Sequence, residues 1–523
     1  MSVSFKRALD ASAPKFFGVA ALTILSIALA APAFAQKSKD TLRIGFADPI
    51  EPADSYFFSK PEQGVITRSI YDGLIHFDDI NGKFRPLLAK SWKWIDNLTL
   101  EMEIREDVKF HNGKKFTIDD VMYQLNWAID PKSNHKQPRA VEWIKSVEKL
   151  SSTKFRIHAK KPDALALLRL AKSVWIYDSE QHAKFADKRD YGRKSFNGTG
   201  PYKITSFSEN EGIMAERVDS YNIGAYWKNA SNIKYIQALA IPDNQSRIAH
   251  LLTDRIDVLR EISPDQTADL IKDPRFTSTA LNGMNFTYFM LDATGRAGAK
   301  ALTDVRVRKA LFMAVNRQEL AKNLLPEGTQ LMDALCFKFM TACGYTTQPP
   351  AFDPEGAKKL LAEAGYKDGF ELQIADYMQE TAATAVKVSG DLHKIGIKAN
   401  VQKYTFTTLR KARDDGKLQS LVAYYTMAGG PDASAGLDFF YREESRDYAR
   451  DPLITGPMDK ATEELDEEKR RVVYQAIFDR INDQSYVMTM TTLPTVFVHT
   501  KEIAIRPGSL EPYGALGRDF FWN

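Results

Sequence analysis

One stretch of the chain, residues 370–403, does most to limit the folds that this sequence can adopt. Residues 370–375 and 397–403 have the composition of β-strands, and residues 381–394 between them have the length and periodicity of a helix. A strand, a helix and a second strand at these lengths predict a βαβ unit with two parallel strands. The sequence therefore predicts an α/β fold, because parallel strands are covered by the helices that connect them.

Local signals predict further elements along the chain. Thr117 and Asp120 stand at the first and fourth positions of a capping box, so a helix should begin after Thr117. Asp353-Pro354 should begin another helix, and Gly365 should end it. The remaining predictions are strands at 41–47 and 98–105, helices at 63–74 and 303–325, and a β-rich stretch at 492–498.

The N-terminus has the three parts of a secretory signal peptide. Lys6, Arg7 and Lys15 supply positive charge, residues 16–31 are almost wholly apolar, and residues 33–35 (AFA) form a small-x-small cleavage site. We therefore predict a signal peptide at residues 1–35 and a mature protein in the periplasm, with no lipid anchor. The alternative is a membrane anchor, but the apolar run is shorter than the roughly 20 residues that span a bilayer.

The composition favours a soluble globular protein with more than one lobe. At 523 residues the chain is too long for a single simple core. No later apolar run reaches the length of a membrane span. The formal net charge is +4 and charges of both signs are interspersed, so neither nucleic acid nor a membrane surface is favoured as a partner.

The chain contains only two cysteines, Cys336 and Cys343. In an oxidising compartment, two cysteines this close favour a local disulfide. The alternative is a pair of free, buried thiols. A metal site is disfavoured, because the spacing is not C-x-x-C and no histidine lies near in the sequence.

The sequence offers little support for an enzyme. It contains neither a G-x-S-x-G nor an H-E-x-x-H motif, and its eight histidines are scattered from His76 to His499. His111 stands beside Asn112-Gly113 in a predicted turn, where we expect it to be exposed to solvent. We predict no catalytic residue, no metal ligand and no cofactor, and we keep a periplasmic hydrolase as the rival from another class.

Five blocks of sequence occur in the order that is typical of one protein family. They are IYDGLIHFDDINGKFRPLLAKSW (70–92), LTLEMEIREDVKFHNGKKFTIDDV (98–121), GTGPY (198–202), DVRVRKALFMAVNR (304–317) and FDPEGAKKLLAEAGYKDGFEL (352–372). With these blocks the chain resembles the family 5 extracellular solute-binding proteins, the dipeptide, oligopeptide and nickel-chelate receptors of ABC importers. The resemblance runs from about residue 42 to about residue 506, which is nearly all of the mature chain.

This resemblance implies an α/β, two-lobed periplasmic binding protein fold of type II, with the ligand cleft between the lobes. It places subdomain a of the first lobe at 36–67, an inserted subdomain b at 68–198 and the rest of subdomain a at 199–280. The second lobe then spans 281–487, and residues 488–523 return to the first lobe. The implied mechanism is closure of the two lobes around the ligand, followed by delivery from a monomer to the transmembrane subunits of an ABC permease.

The resemblance also indicates which residues face the cleft. Residues 424–432 (YYTMAGGPD), here named the ligand segment, correspond to a cleft-facing stretch of the family, with Tyr425, Met427, Gly429 and Asp432 as candidates for ligand contact. Asp432 is the candidate partner for a cationic group of the ligand, with a turn or helix N-cap as its alternative role. Peptide receptors usually have a tryptophan near position 427 and an acidic residue before the proline, whereas this chain has methionine and glycine there.

Four more candidates come from two other segments. Tyr56 and Phe57 belong to the loop at 48–58, and Asn285 and Tyr288 begin the second lobe after a crossover. The ligand that the resemblance implies is a peptide or a peptide-like solute. The alternatives are a nickel chelate, haem, an opine-like conjugate or an oligosaccharide. A role as chaperone or as partner of a chemoreceptor also stays open.

Overall fold

Over the residues that it describes, this computed structural model contains three larger sheets and two antiparallel pairs of short strands. The structure describes residues 40–58, 61–79, 81–223, 232–260, 262–378, 380–427, 430–442, 445–506 and 519–523. The predicted signal peptide, residues 1–35, lies outside them.

The strands are β1 (Thr41–Phe46), β2 (Ile75–Asp78), β3 (Lys83–Pro86), β4 (Ala89–Asp96), β5 (Thr99–Ile104), β6 (Ile144–Lys149), β7 (Lys154–Ala159), β8 (Tyr202–Ser208), β9 (Gly212–Arg217), β10 (Tyr235–Ala240), β11 (Val258–Arg260), β12 (Phe276–Leu281), β13 (Asn285–Leu291), β14 (Glu371–Asp376), β15 (Lys398–Lys403), β16 (Ser420–Thr426), β17 (Val487–Thr492), β18 (Thr495–Thr500), β19 (Ile503–Ile505) and β20 (Phe520–Trp522).

The α-helices are α1 (Pro61–Ile70), α2 (Ile118–Ile129), α3 (Ala166–Ser173), α4 (Ser179–Lys184), α5 (Tyr191–Lys194), α6 (Asn244–Leu252), α7 (Pro264–Leu270), α8 (Val305–Met313), α9 (Arg317–Asn323), α10 (Pro354–Glu363), α11 (Ala382–His393), α12 (Phe406–Asp414), α13 (Ser434–Tyr441), α14 (Pro452–Glu463) and α15 (Glu467–Gln484). Short 3-10 helices lie at Pro131–Ser133, Pro138–Ala140, Lys188–Asp190 and Lys300–Thr303.

The five-stranded sheet contains the predicted βαβ unit and forms the second lobe. Its strand order is β15-β14-β16-β13-β17. Strands β14 and β15 pair in parallel, with α11 as the crossover between them, so this prediction is confirmed. Strand β16 is also parallel to β14, whereas β13 is antiparallel to both of its neighbours. Strand β13 is buried along its whole length, which places the core on both faces of this sheet.

The seven-stranded sheet forms the first lobe, in the order β12-β18-β11-β1-β10-β9-β8. Strand β1 pairs in parallel with both β10 and β11. Strand β18 comes from the C-terminal part of the chain and inserts between β11 and β12. Strand β17 still belongs to the other sheet, so the chain passes from one sheet to the other between Thr492 and Thr495.

A separate antiparallel sheet, in the order β4-β5-β7-β6, lies inside the region predicted as subdomain b. The GTGPY block joins this region to helix α1. A Cβ atom at Gly198 would overlap the carbonyl oxygen of Ile70, and the N–H of Gly200 donates to that same oxygen at 2.9 Å. The Thr199 hydroxyl donates to the buried carboxylate of Asp72 at 3.0 Å. Two of the family blocks therefore pack directly against each other.

Local capping chemistry sets several helix ends. Helix α2 begins after Thr117 with the predicted capping box, and α10 begins after Asp353. The prediction of one helix over 303–325 is wrong. Asp304 caps α8, and the Asn316 side chain accepts a hydrogen bond from the N–H of Glu319, which starts α9 as a second helix. The internal Asn316 cap is the signal that separates the two helices.

His111 also departs from its prediction. Its Nε2 atom lies 2.9 Å from the carbonyl oxygen of Gly200, and its backbone N–H donates to the carbonyl of Gly198 at 2.8 Å. Burial lowers the pKa of His111. The prediction of an exposed turn histidine is wrong, because the hairpin packs against the GTGPY block.

Cys336 and Cys343 form a disulfide in the structure, with their Cα atoms 5.9 Å apart. Among the described residues, no helix is both long enough and apolar enough to cross a membrane.

Candidate functional site: the ligand cleft between the lobes

Two short crossovers join the lobes and define the hinge side of the candidate cleft. Residues 282–284 link β12 to β13, and residues 493–494 link β17 to β18. The hinge lies at the N-terminal end of β13, beside the C-terminal end of its neighbour β16. The ligand segment begins at this end of β16, so its residues 424–427 lie beside the hinge.

Asn285, a sequence candidate, lies at the hinge itself. Its side-chain oxygen accepts a hydrogen bond from the hydroxyl of Thr426 at 2.7 Å, and its amide donates to the hydroxyl of Thr495 at 3.0 Å. Its carbonyl accepts from the N–H of Leu493 at 2.9 Å. Thr426 belongs to the second-lobe sheet and Thr495 to the first-lobe sheet, so this buried amide bonds to both lobes.

Tyr425 forms an aromatic platform near the hinge. Its ring stacks on Phe439 with 3.9 Å between centroids and an interplanar angle of 22°. Phe286 and Phe440 contact it through ring edges at 5.9 and 6.1 Å. Burial raises the pKa of Tyr425, as does the negative charge of Asp438, so its hydroxyl stays protonated at physiological pH.

Arg139 brings the first lobe to this platform. Its Nη1 atom donates to the backbone carbonyl of Asp438 in α13 at 3.4 Å, and its positive charge acts on Tyr425 across the two lobes. Arg446, which lies 6.0 Å from the centre of the Phe439 ring, adds a second positive charge. The platform therefore lies where the lobes meet and is flanked by two arginines, one from each lobe.

Met427 and Tyr288 lie deeper than a ligand surface. The Met427 side chain is fully buried, and its backbone N–H donates to the carbonyl of Met284 at 2.9 Å. Tyr288 is 3% exposed and packs edge-to-face on Phe440 at 4.9 Å. Tyr288 supports the platform through Phe440, which contacts Tyr425. Gly429 lies outside the described residues.

Asp432 already has a cationic partner within its own lobe. Nη2 of Arg470 donates to both carboxylate oxygens of Asp432, at 2.7 and 2.8 Å. One of these oxygens also accepts from the N–H of Ser434 at 3.0 Å, which is the turn role that the sequence offered as the alternative. With 3% exposure, this carboxylate is satisfied inside the second lobe and is not positioned to meet a cation of the ligand.

Tyr56 and Phe57 lie in the first lobe, whereas the candidates described above lie at the hinge or in the second lobe. Tyr56 is fully buried, and its hydroxyl donates to the carbonyl of Trp175 at 3.0 Å. Its ring packs edge-on against Trp127 at 5.1 Å, and Phe57 is half-buried beside the same tryptophan at 6.1 Å. Tyr56 therefore belongs to the first-lobe core, and Phe57 is the more accessible of the two.

Two further contacts between the lobes were not suggested by the sequence. Lys161 of the first lobe pairs with Glu463 of the second at 2.5 Å, and both side chains are partly exposed. The N–H of Ala164 donates to the carbonyl of Thr462 at 3.0 Å. The partners are about 300 residues apart in the chain, so no local pattern could have identified them.

A narrow packing gap lies elsewhere, in the core of the second lobe between Met290, Phe440, Tyr448 and Tyr486, with no room for a ligand. Its lining is packed side chains of one lobe, so it is not the cleft. Within the described residues, no group of three or more His, Cys, Asp or Glu side chains could hold a metal ion.

Two sheets joined by two crossovers, with contacts across a cleft, define a two-lobed binding protein. The sequence model of the bacterial extracellular solute-binding proteins, family 5 Middle, matches residues 83–447. The chain belongs to this family, whose members are substrate-binding proteins.

The known proteins that are similar to this chain are named for different ligands. The haem-binding protein A of Haemophilus influenzae is 28% identical over 384 residues, which cover 67% of this chain and 68% of that protein. The glutathione-binding protein of Shigella boydii is 26% identical over 447 residues, which cover 84% of this chain and 81% of that protein.

A solved structure agrees with the fold over most of the chain. The periplasmic binding protein DppA from Helicobacter pylori, in complex with the peptide STSA, superposes with a TM-score of 0.78. The superposition covers 92% of this chain and 98% of DppA at 20% sequence identity. This similarity supports the two-lobed fold.

Proposed function

We propose that this solute-binding protein captures a peptide or a peptide-like solute in the periplasm and delivers it to the permease of an ABC importer. The observation that carries this proposal is the Tyr425–Phe439 platform at the junction of the two lobes, flanked by Arg139 and Arg446. Stacked aromatic rings offer an apolar surface for side chains, and guanidinium groups bind carboxylates. A short peptide presents both chemistries.

The relatives support a peptide-like ligand in two ways. Glutathione, for which one relative is named, is itself a tripeptide with an unusual linkage. The Helicobacter pylori structure holds a four-residue peptide on the same fold. The haem-binding relative keeps a non-peptide solute as the second candidate, because haem also combines a flat apolar surface with carboxylates.

The proposed cycle involves no chemistry on the ligand. Rotation about the two crossovers would open the cleft, and a ligand on the platform would favour the closed arrangement because it contacts both lobes at once. Release to the permease would reverse this step. We propose a monomer, cleaved after residue 35, as the active form.

Native mass spectrometry on the gently purified mature chain tests the proposal. We expect co-purified masses that correspond to a set of short peptides. A single discrete mass or a metal isotope pattern would contradict the peptide assignment and favour haem, a nickel chelate or another solute. If no ligand is retained, a thermal-shift screen with tripeptides, glutathione and haemin replaces mass spectrometry as the test. A tight ligand raises the midpoint of thermal unfolding by mass action. Incubation with the same peptides also checks for hydrolysis, because a receptor returns them intact.

A further inference from the structure

A short loop of the second lobe, residues 336–343 (CFKFMTAC), is closed by the disulfide at its two ends and is here named the disulfide loop. Inside it, the N–H of Met340 donates to the carbonyl of Phe337 at 2.9 Å, and the N–H of Cys343 donates to the carbonyl of Met340 at 3.1 Å. Ala342 has a φ of 58°, a conformation that a residue with a side chain keeps only when its surroundings hold it there. The loop is therefore held in one shape by its own contacts.

The disulfide loop is attached to the rest of the second lobe at two points. At the first, the ring of Phe337 contacts the ring of Phe286 edge-on, with 6.4 Å between centroids. Phe286 directly follows the hinge residue Asn285, so this point lies beside the hinge. At the second, the N–H of Thr341 donates to the carbonyl of Pro431 at 2.9 Å.

The second attachment point lies next to a contact between the lobes. Pro431 follows Gly430, and a Cβ atom added at Gly430 would lie only 2.7 Å from Cδ1 of Leu168. Leu168 belongs to α3 of the first lobe, so the two lobes touch directly beside the point where Thr341 is bonded. The disulfide loop therefore runs from the hinge to a contact between the lobes, along the second-lobe side of the cleft.

Phe337 and Phe339 of this loop extend the aromatic platform. The ring of Phe286 contacts the Tyr425 ring at 5.9 Å and the Phe337 ring at 6.4 Å, so a continuous series of rings joins the platform to the loop. Phe339 lies 5.4 Å from Phe337 at an interplanar angle of 31° and is 55% exposed. An exposed ring beside a half-buried one offers apolar surface to the side chain of a ligand.

We propose that Phe337 and Phe339 form a second ligand contact, which binds an apolar side chain of the peptide and favours an aromatic one. This inference rests on the proposed function, in which the platform of Tyr425 contacts the same peptide. In an extended peptide, alternate side chains point to the same side about 7 Å apart, so one ligand can contact both the platform and the disulfide loop. The disulfide lowers the entropic cost of binding, because the ligand does not have to order the loop.

The test compares tripeptides with and without an aromatic side chain. Isothermal titration calorimetry on the purified mature chain measures Kd for trialanine and for the three tripeptides in which one alanine is replaced by phenylalanine. The variant is Phe339→Ala, at an exposed ring whose loss should leave the fold intact. The matched control is Phe352→Ala, which removes a phenylalanine of the second lobe that is 49% exposed and lies outside the disulfide loop.

We expect at least one of the phenylalanine tripeptides to bind more tightly than trialanine, both to the unmodified protein and to Phe352→Ala. Phe339→Ala should weaken that tripeptide roughly five- to tenfold and leave the Kd of trialanine unchanged within about twofold. Thermal midpoints should be the same in both variants.

Three outcomes would refute the second contact while the proposed function stands. Phe339→Ala could keep the preference for phenylalanine, it could weaken all four tripeptides equally, or the unmodified protein could bind all four alike. If the unmodified protein binds none of the four, the peptide assignment itself fails, and a contact for a peptide side chain fails with it.

Discussion

Nη2 of Arg470 donates to both carboxylate oxygens of Asp432, at 2.7 and 2.8 Å, and the two side chains are only 4% and 5% exposed. These residues belong to different elements, since Asp432 ends the ligand segment and Arg470 lies in the first turn of α15. An ion pair this deeply buried does not adapt easily to a third charged group. It therefore fixes the end of the ligand segment instead of offering a carboxylate to the ligand.

The first prediction concerns this pair. Asp432→Asn leaves Arg470 buried without its counterion and should lower the free energy of unfolding by about 3 kcal/mol or more. Asp438→Asn is the matched control, because Asp438 is only partly buried and pairs with Arg442 at 2.9 Å. Urea unfolding measures both variants. If Asp432→Asn kept its stability but lost ligand retention in native mass spectrometry, Asp432 would have to face the ligand after all.

The second prediction concerns two buried acids of the first lobe, Asp54 and Asp72. Burial raises the pKa of each to about 7, against hydrogen bonds that lower it. The folded state therefore holds protons that the unfolded state releases near pH 4. The stability that this proton uptake contributes is fully present below about pH 4. It falls by about 1.4 kcal/mol per pH unit and group as the pH rises, and it is lost once the pH has passed through 7.

Asp54→Asn tests this pH dependence, because an amide imitates the protonated acid. Its oxygen can still accept from the N–H of Tyr56 and the hydroxyl of Tyr177, both at 2.9 Å. Between pH 5 and pH 7.5 the unmodified protein should lose more stability than this variant. Asp119→Asn, at a carboxylate that is 73% exposed, should follow the unmodified protein. If Asp54→Asn lost stability more steeply with rising pH than the unmodified protein, the raised pKa of Asp54 would be disproved.

The third prediction concerns the disulfide. The loop that it closes bonds to the ligand segment, since the N–H of Thr341 donates to the carbonyl of Pro431 at 2.9 Å and that of Ala433 to the carbonyl of Thr341 at 3.0 Å. Replacing both Cys336 and Cys343 with serine should cost about 2 to 3 kcal/mol, the amount expected for so short a loop. Hydrogen exchange should also rise at the amides of Asp432 and Ala433 more than elsewhere.

A reductant provides the control for this experiment. Dithiothreitol should reproduce both effects in the unmodified protein and should add nothing in the double variant. If exchange rose uniformly along the chain, the disulfide would stabilise the second lobe as a whole and would not position the ligand segment in particular.

The fourth prediction compares two glycines. Gly198→Ala should destabilise the protein severely, because the new Cβ would overlap the Ile70 carbonyl where two segments of backbone meet. Gly390→Ala is the matched control. It lies within α11 with no atom within 4 Å of the added Cβ, so it should stabilise the helix by up to about 1 kcal/mol. Thermal midpoints distinguish the two, and equal effects would contradict the close packing of the GTGPY block.

The fifth prediction concerns the aromatic platform. Phe439→Ala removes the stacking partner of Tyr425 from a half-buried position and should reduce ligand retention at least tenfold, with a smaller loss of stability than a core phenylalanine would give. Phe370→Ala, which removes a half-buried phenylalanine packed on Tyr366 in the same lobe, is the control and should retain the ligand. Equal loss of ligand in both variants would show that the platform supports the lobe and does not bind.

The sequence by itself determined the elements whose signals are local. The βαβ unit at 370–403 follows from periodicity, because the pattern of apolar residues dictates which face each strand and helix can bury. The starts of α2 and α10 follow from Thr117 and Asp353, because a cap satisfies backbone N–H groups only a few residues away. The second N-cap at Asn316 is equally present in the sequence, but the apolar periodicity continues across it and so masks the break between α8 and α9.

Only the tertiary structure decided which side chains from distant parts of the chain come into contact. Arg470 reaches Asp432 across 38 residues, Arg139 reaches Asp438 across 299, and the Asn285 side chain bonds to a strand 210 residues away. No periodicity or cap encodes such pairs. The fold of the second lobe brings Arg470 to Asp432, and the junction of the two lobes brings Arg139 and Asn285 to their partners. A polar group that is buried there must be hydrogen-bonded, because an unpaired one in a low dielectric is costly.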